Sequence, residues 1–308
     1  MKKIIVITGA RGIGDLIYQL PLLRSLYSTY KNKLILISNK VNQAKEVYKH
    51  ESFYSEIIEF DNTRYSILKT LQNIKLFIKL INRYDSDLLI LTSNATRLMI
   101  PVSLSNAKKK IIFGIKNKFL LKDNSYKHLP NSEKIVLYSK QLNLGNFNNS
   151  FFLQSENIEK INEKTMIKKI FLNIDSHHDQ NNWKIENFIK IIELQLNLNV
   201  KIFVNFSPNK PYIFKLIPPE IIDNKKVFFV YKETISELIK IINSCNIIIG
   251  NESGPICLGS SLKKEVHSIY SPRHTRPESE IINSNTKYYN TEKIDDDEII
   301  KMITKSIQ

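Results

Sequence analysis

Short runs of isoleucine, valine and leucine alternate along the chain with longer stretches in which apolar residues recur every third or fourth position. The short runs predict strands at Lys3–Thr8, Lys33–Ser38, Glu56–Phe60, Asp87–Thr92 and Lys110–Gly114 in the first half. In the second half they predict Lys169–Ile174, Val200–Phe206, Lys226–Val230, Asn246–Gly250 and Glu265–Tyr270. Strands that are apolar on both faces and separated by helices form parallel sheets covered on both sides. The expected fold class is therefore α/β, with two doubly wound, Rossmann-like domains, 1–150 and 151–308. The stretch Asn143–Ser155 holds Gly145 and repeated asparagines without a period, and reads as the linker.

Two helical segments stand out. Asp295-Asp296-Asp297-Glu298 precedes Ile299–Ile307, which predicts a terminal helix with carboxylates at its positive end. That helix is a candidate to pack back on the first domain. Within Ser66–Tyr84, Ile67, Leu71, Ile74, Phe77, Ile78 and Ile81 form one apolar stripe, and Lys69, Lys75, Lys79 and Arg83 share another face. Leu76 and Leu80 fall among the cations. Lys75, Leu76, Lys79, Leu80 and Arg83 are accordingly candidates for contact with an anionic membrane surface. A packed helix with a solvated lysine face is the competing reading.

A length of 308 residues suits two domains of roughly 150 each. No apolar stretch reaches the roughly 18 residues of a membrane span, and the N-terminus lacks the pattern of a signal peptide. Cys245 and Cys257 are too few for a disulfide scaffold and wrongly spaced for a C-x-x-C pair. A cytoplasmic location is expected, with peripheral contact on the cytoplasmic face of the inner membrane. The net charge of +15 sits almost entirely in the first half, which holds 24 Lys and Arg against 10 Asp and Glu, while the second holds 21 against 20. A basic half beside a neutral one points to an anionic partner. Nucleic acid is disfavoured, because the cations are spread over several helices with no recognised module.

Chemistry-bearing segments lie where strands end. Thr8-Gly9-Ala10-Arg11-Gly12-Ile13-Gly14-Asp15 follows the first strand and opens a helix expected to run through Leu26. Glycines at such a turn let backbone approach a ligand. The segment is one residue short of the short-chain dehydrogenase signature T-G-x-x-x-G-x-G. Asn39-Lys40 also stands where a nicotinamide-type ribose site needs an acid, so oxidoreductase chemistry is disfavoured. Asp15 lies just past the strand, where open α/β sheets bind ligands, and can take a proton from a hydroxyl nucleophile; a helix-capping carboxylate is the competing reading. In the second half, Ile174–Phe188 contains a polar loop ahead of Trp183, and Gly250-Asn251-Glu252-Ser253-Gly254-Pro255 places a strand, a turn and a helix start in sequence. There Ser253 and Gly254 are candidates to meet a phosphate, with Pro255 pre-set for the first helical turn.

Together these segments resemble the heptosyltransferase-type glycosyltransferases of family 9, which have the GT-B fold; the resemblance implies two Rossmann-like domains with parallel sheets facing a central cleft. Gly12-Ile13-Gly14-Asp15-Leu16 with Pro21 and Leu26 is similar to the family's opening block, Trp183–Phe188 to W-P-x-E-x-F, and Asn251–Pro255 to N-D-S-G-P. Ser271–Thr275 sits where the family has G-P-T. The resemblance extends over nearly the whole chain. It implies an inverting, metal-independent transfer of a sugar from a nucleotide donor, with ADP-heptose as the default and no cofactor. The implied acceptor is an anionic lipopolysaccharide or lipooligosaccharide core. Asp15 matches the family's proposed base, with Arg11, Gly12 and Gly14 on the acceptor side. The implied donor site comprises Ser176, His177, Asn181, Lys184, Glu252, Ser253, Gly254 and Pro255. The chain departs from the pattern at Asn181, where the family has lysine, at Glu252 for aspartate and at Cys257 for histidine. These departures cluster on the donor side, and leave open a GT-B epimerase of nucleotide sugars or a non-catalytic sugar-binding homologue.

Overall fold

The computed structural model describes residues 2–10, 12–61, 67–93, 95–114, 129–145, 147–155, 167–176, 182–231, 233–271 and 277–308. The chain divides into two compact units, Met1–Gln154 and Ser155–Gln308. The first unit runs β1 (Ile4–Ile7), α1 (Ile13–Ile17), α2 (Leu20–Tyr30), β2 (Leu34–Asn39), α3 (Ala44–Val47), β3 (Tyr54–Phe60), α4 (Ile67–Asn82), β4 (Leu88–Leu91), α5 (Thr96–Leu104), β5 (Lys109–Ile112) and α6 (Asn131–Gln141). The second runs β6 (Lys168–Asn173), α7 (Ile185–Leu196), β7 (Val200–Asn205), α8 (Pro219–Ile222), β8 (Val227–Phe229), α9 (Ile235–Ser244), β9 (Ile247–Asn251), α10 (Gly254–Ser261), β10 (Glu265–Tyr270), α11 (Glu278–Ile282), β11 (Thr286–Asn290) and α12 (Asp296–Ile307).

Both sheets are parallel throughout, with strand orders β3-β2-β1-β4-β5 and β11-β10-β9-β6-β7-β8. In each, the chain builds outward from its first strand and then crosses to the other side. The order therefore reverses between β1 and β4 and between β6 and β9, and the connections diverge there to leave a crevice at the strands' carboxyl ends. Strands β1, β4 and β9 are buried along their whole length, as their unbroken apolar runs require.

Three features differ from the pattern-based expectation. The first helix is two helices, because Pro21 has no N–H to give to a continuing ladder and instead occupies the first turn of α2. Strand β11 carries no apolar run; it is an edge strand, and Lys287 and Tyr288 stay exposed while Tyr289 packs inward. On α4 the buried arc is centred on Phe77 and Ile81, so Leu80 packs against the core and Leu71 is 58% exposed. The exposed side of this helix thus joins Leu71 and Leu76 with Lys75, Lys79 and Arg83, and Leu80 leaves the set of surface candidates.

The expected linker is strapped to the first unit. On α2, Arg24 pairs with Glu51 at 2.6 Å and donates to the carbonyls of Ser150 and Phe152 at 3.2 and 2.6 Å. Glu51 also accepts from the Gln154 N–H at 3.0 Å. In the second unit, Ile299, Ile300, Ile303 and Ile307 of α12 belong to that unit's own core, against α7. The apolar face of this terminal helix is used there.

Candidate functional site

The first reversal point carries a cavity. Gly9 follows β1 and packs so closely on the segment after β4 that a Cβ would sit 2.1 Å from the Ser93 Cβ. Its N–H donates to Thr92 Oγ1 at 2.9 Å, and that hydroxyl donates to Gln19 Oε1 at 3.1 Å. The Asn42 amide holds the Ala10 carbonyl at 2.8 Å, which fixes the turn from the other side. Gly12 is extended, with open space where a side chain would project. Asp15 follows in the first turn of α1, half-buried, and lines a cavity of about 380 Å³. Thr92 and Ser93 line the same cavity, and its far wall is α6, which contributes Asn131, Lys134 and Tyr138. Gly14 opens α1 beside Asp15, and Arg11 lies outside the described residues.

The second reversal point is built differently. Strands β6, β7 and β9 each end in asparagine, at Asn173, Asn205 and Asn251. Asn173 donates to the Asp175 carbonyl at 2.6 Å and to Ser253 Oγ at 2.9 Å, and it accepts from the Asn205 amide at 2.6 Å. Asn251 accepts from the Trp183 N–H at 2.8 Å, and the Trp183 indole donates to Asp296 of α12 at 2.6 Å. That indole holds the Asp296 carboxyl below its ordinary range against the upward push of burial, with Lys184 assisting through its charge. The network needs Gly250, whose φ of +156° and clearance of 2.2 Å between a would-be Cβ and the Asn173 carbonyl leave no room for a side chain.

Next to the asparagines lies a buried ion pair. Asp175, with a side chain 2% exposed, meets Lys210 at 2.7 Å and also accepts from the Asn182 amide at 2.9 Å and the Ser207 N–H at 3.2 Å. Lys210 donates further to the Ser176 carbonyl at 2.8 Å. Two segments far apart in sequence are thereby tied together at the ends of β6 and β7. No motif marks Asp175, Lys210 or the three asparagines. Their one signal is the recurrence of Asn at the last position of neighbouring strands.

The expected donor residues separate into three groups. Ser253, Gly254 and Pro255 sit at the start of α10 as anticipated, but the Ser253 hydroxyl is turned inward, accepting from Asn173 and donating to the Asn251 carbonyl at 2.8 Å. No side chain caps this helix, so what it offers a ligand is its main-chain N–H groups and its dipole. The Ser176 hydroxyl is likewise engaged, by Asn182 at 2.6 Å. The Glu252 carboxylate is engaged within its own unit, where it accepts from Ser268, from the Ser279 hydroxyl at 2.5 Å and from the Ser279 N–H at 3.0 Å. It anchors α11, and Cys257, at 3.6 Å, points to the same carboxylate. Lys184 is exposed ahead of α7. His177 and Asn181 lie outside the described residues, as do positions 272–276. Among the described residues no three His, Cys, Asp or Glu side chains cluster to hold a metal ion. Nor, among the described residues, is any helix long and apolar enough to cross a membrane.

Two doubly wound parallel-sheet units, each with its reversal point lined by polar groups, define the GT-B class of α/β proteins. Residues 137–301, more than half of the chain, match the family model of glycosyltransferase family 9 (heptosyltransferase), and the chain belongs to that family. It is a glycosyltransferase. None of the curated sequences compared matches it. Among solved structures, a family 9 glycosyl transferase from Veillonella parvula superposes with a TM-score of 0.76 at 18% identity, covering 99% of this chain and 89% of the other. The E. coli heptosyltransferase WaaC with ADP gives 0.75 at 12% identity, covering 99% and 98%. A UDP-GlcNAc 2-epimerase from Methanocaldococcus jannaschii gives 0.56 at 13% identity, covering 98% and 92%. The heptosyltransferase structures thus share more of the backbone than the epimerase does.

Proposed function

We propose that this glycosyltransferase moves a sugar, by default heptose from ADP-heptose, onto a hydroxyl of an anionic lipopolysaccharide or lipooligosaccharide core, with inversion and without a metal or other cofactor. The observation that carries the reading is a carboxylate, Asp15, in a polar cavity at the first unit's reversal point. The acceptor hydroxyl gives its proton to Asp15 as its oxygen attacks the anomeric carbon in line, and the C–O bond to the nucleoside diphosphate breaks on the opposite face. The departing diphosphate is held by main-chain N–H groups at the start of α10, whose positive end stabilises the charge as it develops. The Asn173 network keeps that helix start in place, so Ser253 acts on the donor through position. Exposed Leu71 and Leu76 among Lys75, Lys79 and Arg83 support a peripheral place on the cytoplasmic face of the inner membrane, where an anionic glycolipid is found.

Asp15→Asn is expected to lower turnover by roughly 10²–10⁴-fold while ADP binding, read by calorimetry, stays unchanged. Turnover near the wild-type rate would remove Asp15 from the role of base.

A further inference from the structure

Three consecutive carboxylates open α12, and each has a different task. Asp295 caps the helix, its Oδ1 accepting from the Asp297 N–H at 2.9 Å. Asp297 pairs with Lys190 at 3.1 Å on the exposed surface, where such a pair contributes little. Asp296 is half-buried and accepts from the Trp183 indole at 2.6 Å. The helix is held without this last bond, by its cap and by Ile299, Ile300, Ile303 and Ile307 in the core of the second unit. The bond instead fixes the ring. Trp183 is 4% exposed, its edge-on contact with Phe188 at 5.1 Å between centroids sets the tilt, and the carboxylate sets where the N–H points.

Trp183 is also where α12 reaches the carboxyl edge of the sheet. Its main-chain N–H donates to Asn251 Oδ1 at 2.8 Å, at the end of β9. The Asn251 carbonyl accepts from the Ser253 hydroxyl at 2.8 Å, and Gly254 opens α10 at the next position. On the other side, Asn182 donates to Asp175 Oδ1 at 2.9 Å and accepts from the Ser176 hydroxyl at 2.6 Å. A shift of Trp183 therefore disturbs the end of β6 and the start of α10 together. We infer that Asp296 is a positioning residue for the nucleotide donor, acting through Trp183 and Asn251 on the main-chain N–H groups at the start of α10. The inference rests on reading that helix start as the diphosphate site, and it adds a residue that lies far from it in sequence. Such an array of donors works only when it is held to within about 0.5 Å.

The test uses the full chain and calorimetry, with ADP as the probe, or UDP where the wild type prefers it. Asp296→Ala is expected to weaken binding about tenfold. Trp183→Phe keeps an aromatic ring against Phe188 but has no N–H to give, and should weaken binding as much. Combining the two should add nothing, because each removes the same bond. Asp296→Asn, whose amide oxygen still accepts from the indole, should keep most of the affinity. Two further variants separate this role from a general loosening of the helix. Asp297→Ala makes the same change of charge one residue away, and Ile303→Val thins the packing of α12. Both should bind the probe as tightly as the wild type, the second with an earlier urea transition.

Unchanged binding in Asp296→Ala or Trp183→Phe overturns the inference. So do a loss that Asp296→Asn shares in full, a strictly additive double variant, and an equal loss in Asp297→Ala or Ile303→Val. If Asp296→Ala fails to fold, Trp183→Phe decides alone: weakened binding supports the inference and unchanged binding overturns it. A wild type that binds neither ADP nor UDP removes the nucleotide reading of α10 and this inference with it. A wild type that binds the probe no better than Asp296→Ala does removes the inference alone.

Discussion

The two units share a topology and use their reversal points in opposite ways. In the first, the carboxyl edge is open: Gly9 and Gly12 keep the turn clear, and a cavity of about 380 Å³ presents the side chains of Asp15 and Lys134. In the second, the side chains are turned on one another. Asn173, Asn205, Ser253, Asp175 and Lys210 bond within the edge, and what remains facing outward at α10 is main chain. The contrast suits the chemistry proposed for each edge. A proton acceptor has to be a side chain with room around it. A diphosphate is held well by N–H groups, provided the helix start that bears them cannot shift.

The contrast is most easily broken at Gly250. Gly250→Ala puts a Cβ 2.2 Å from the Asn173 carbonyl and demands a φ of +156° from a residue with a side chain. A cost of roughly 4 kcal/mol is expected, read in urea as an earlier transition of the second unit with the first unit's transition unmoved. A variant as stable as the wild type would mean that the asparagine network yields. Lys210→Met comes next. It leaves the Asp175 carboxylate buried without its cation, for about 3 kcal/mol of stability and weaker ADP binding. Adding Asp175→Asn should restore part of both, and a strictly additive double variant would show that the pair is not coupled.

The smallest effect is acid sensitivity confined to the second unit. His267 is 0% exposed, between Tyr289 Oη at 2.8 Å and Ser306 Oγ at 2.9 Å. Burial, reinforced by the charge of Lys287 and opposed by Glu265 at 3.3 Å, pushes its pKa down from 6.5 to about 4. The unfolded chain takes up a proton below pH 6.5 and the folded one only near pH 4. Its share of stability is therefore complete above pH 6.5 and drains away as pH falls toward 4. The second unit should lose about 2 kcal/mol between pH 7 and pH 5, and His267→Gln should flatten that slope.

Much of the architecture is legible in the sequence, for a physical reason. A strand buried on both faces must be apolar at every position, so β1, β4 and β9 announce themselves, whereas β11 lies at an edge and its Thr286-Lys287-Tyr288 does not. Pro21 marks the break between α1 and α2 only for a reader who gives it more weight than the apolar period around it. Asp15 is legible because its place follows from where a strand ends and a helix begins. The asparagine network is not, since Asn173, Asn205 and Asn251 meet only once the strand order is known. At Glu252 the resemblance points to a ligand but gives no sign of the internal bonds by which Ser268 and Ser279 hold its carboxylate.

The clasp between Trp183 and Asp296 also sets an order of events during synthesis. All six strands of the second unit leave the ribosome before α12 does, yet part of the sheet's face has no cover, and the Trp183 indole has no acceptor, until α12 has emerged. The second unit therefore stays incomplete until Ile307 has emerged, when the unit bearing Asp15 already has its full complement of residues.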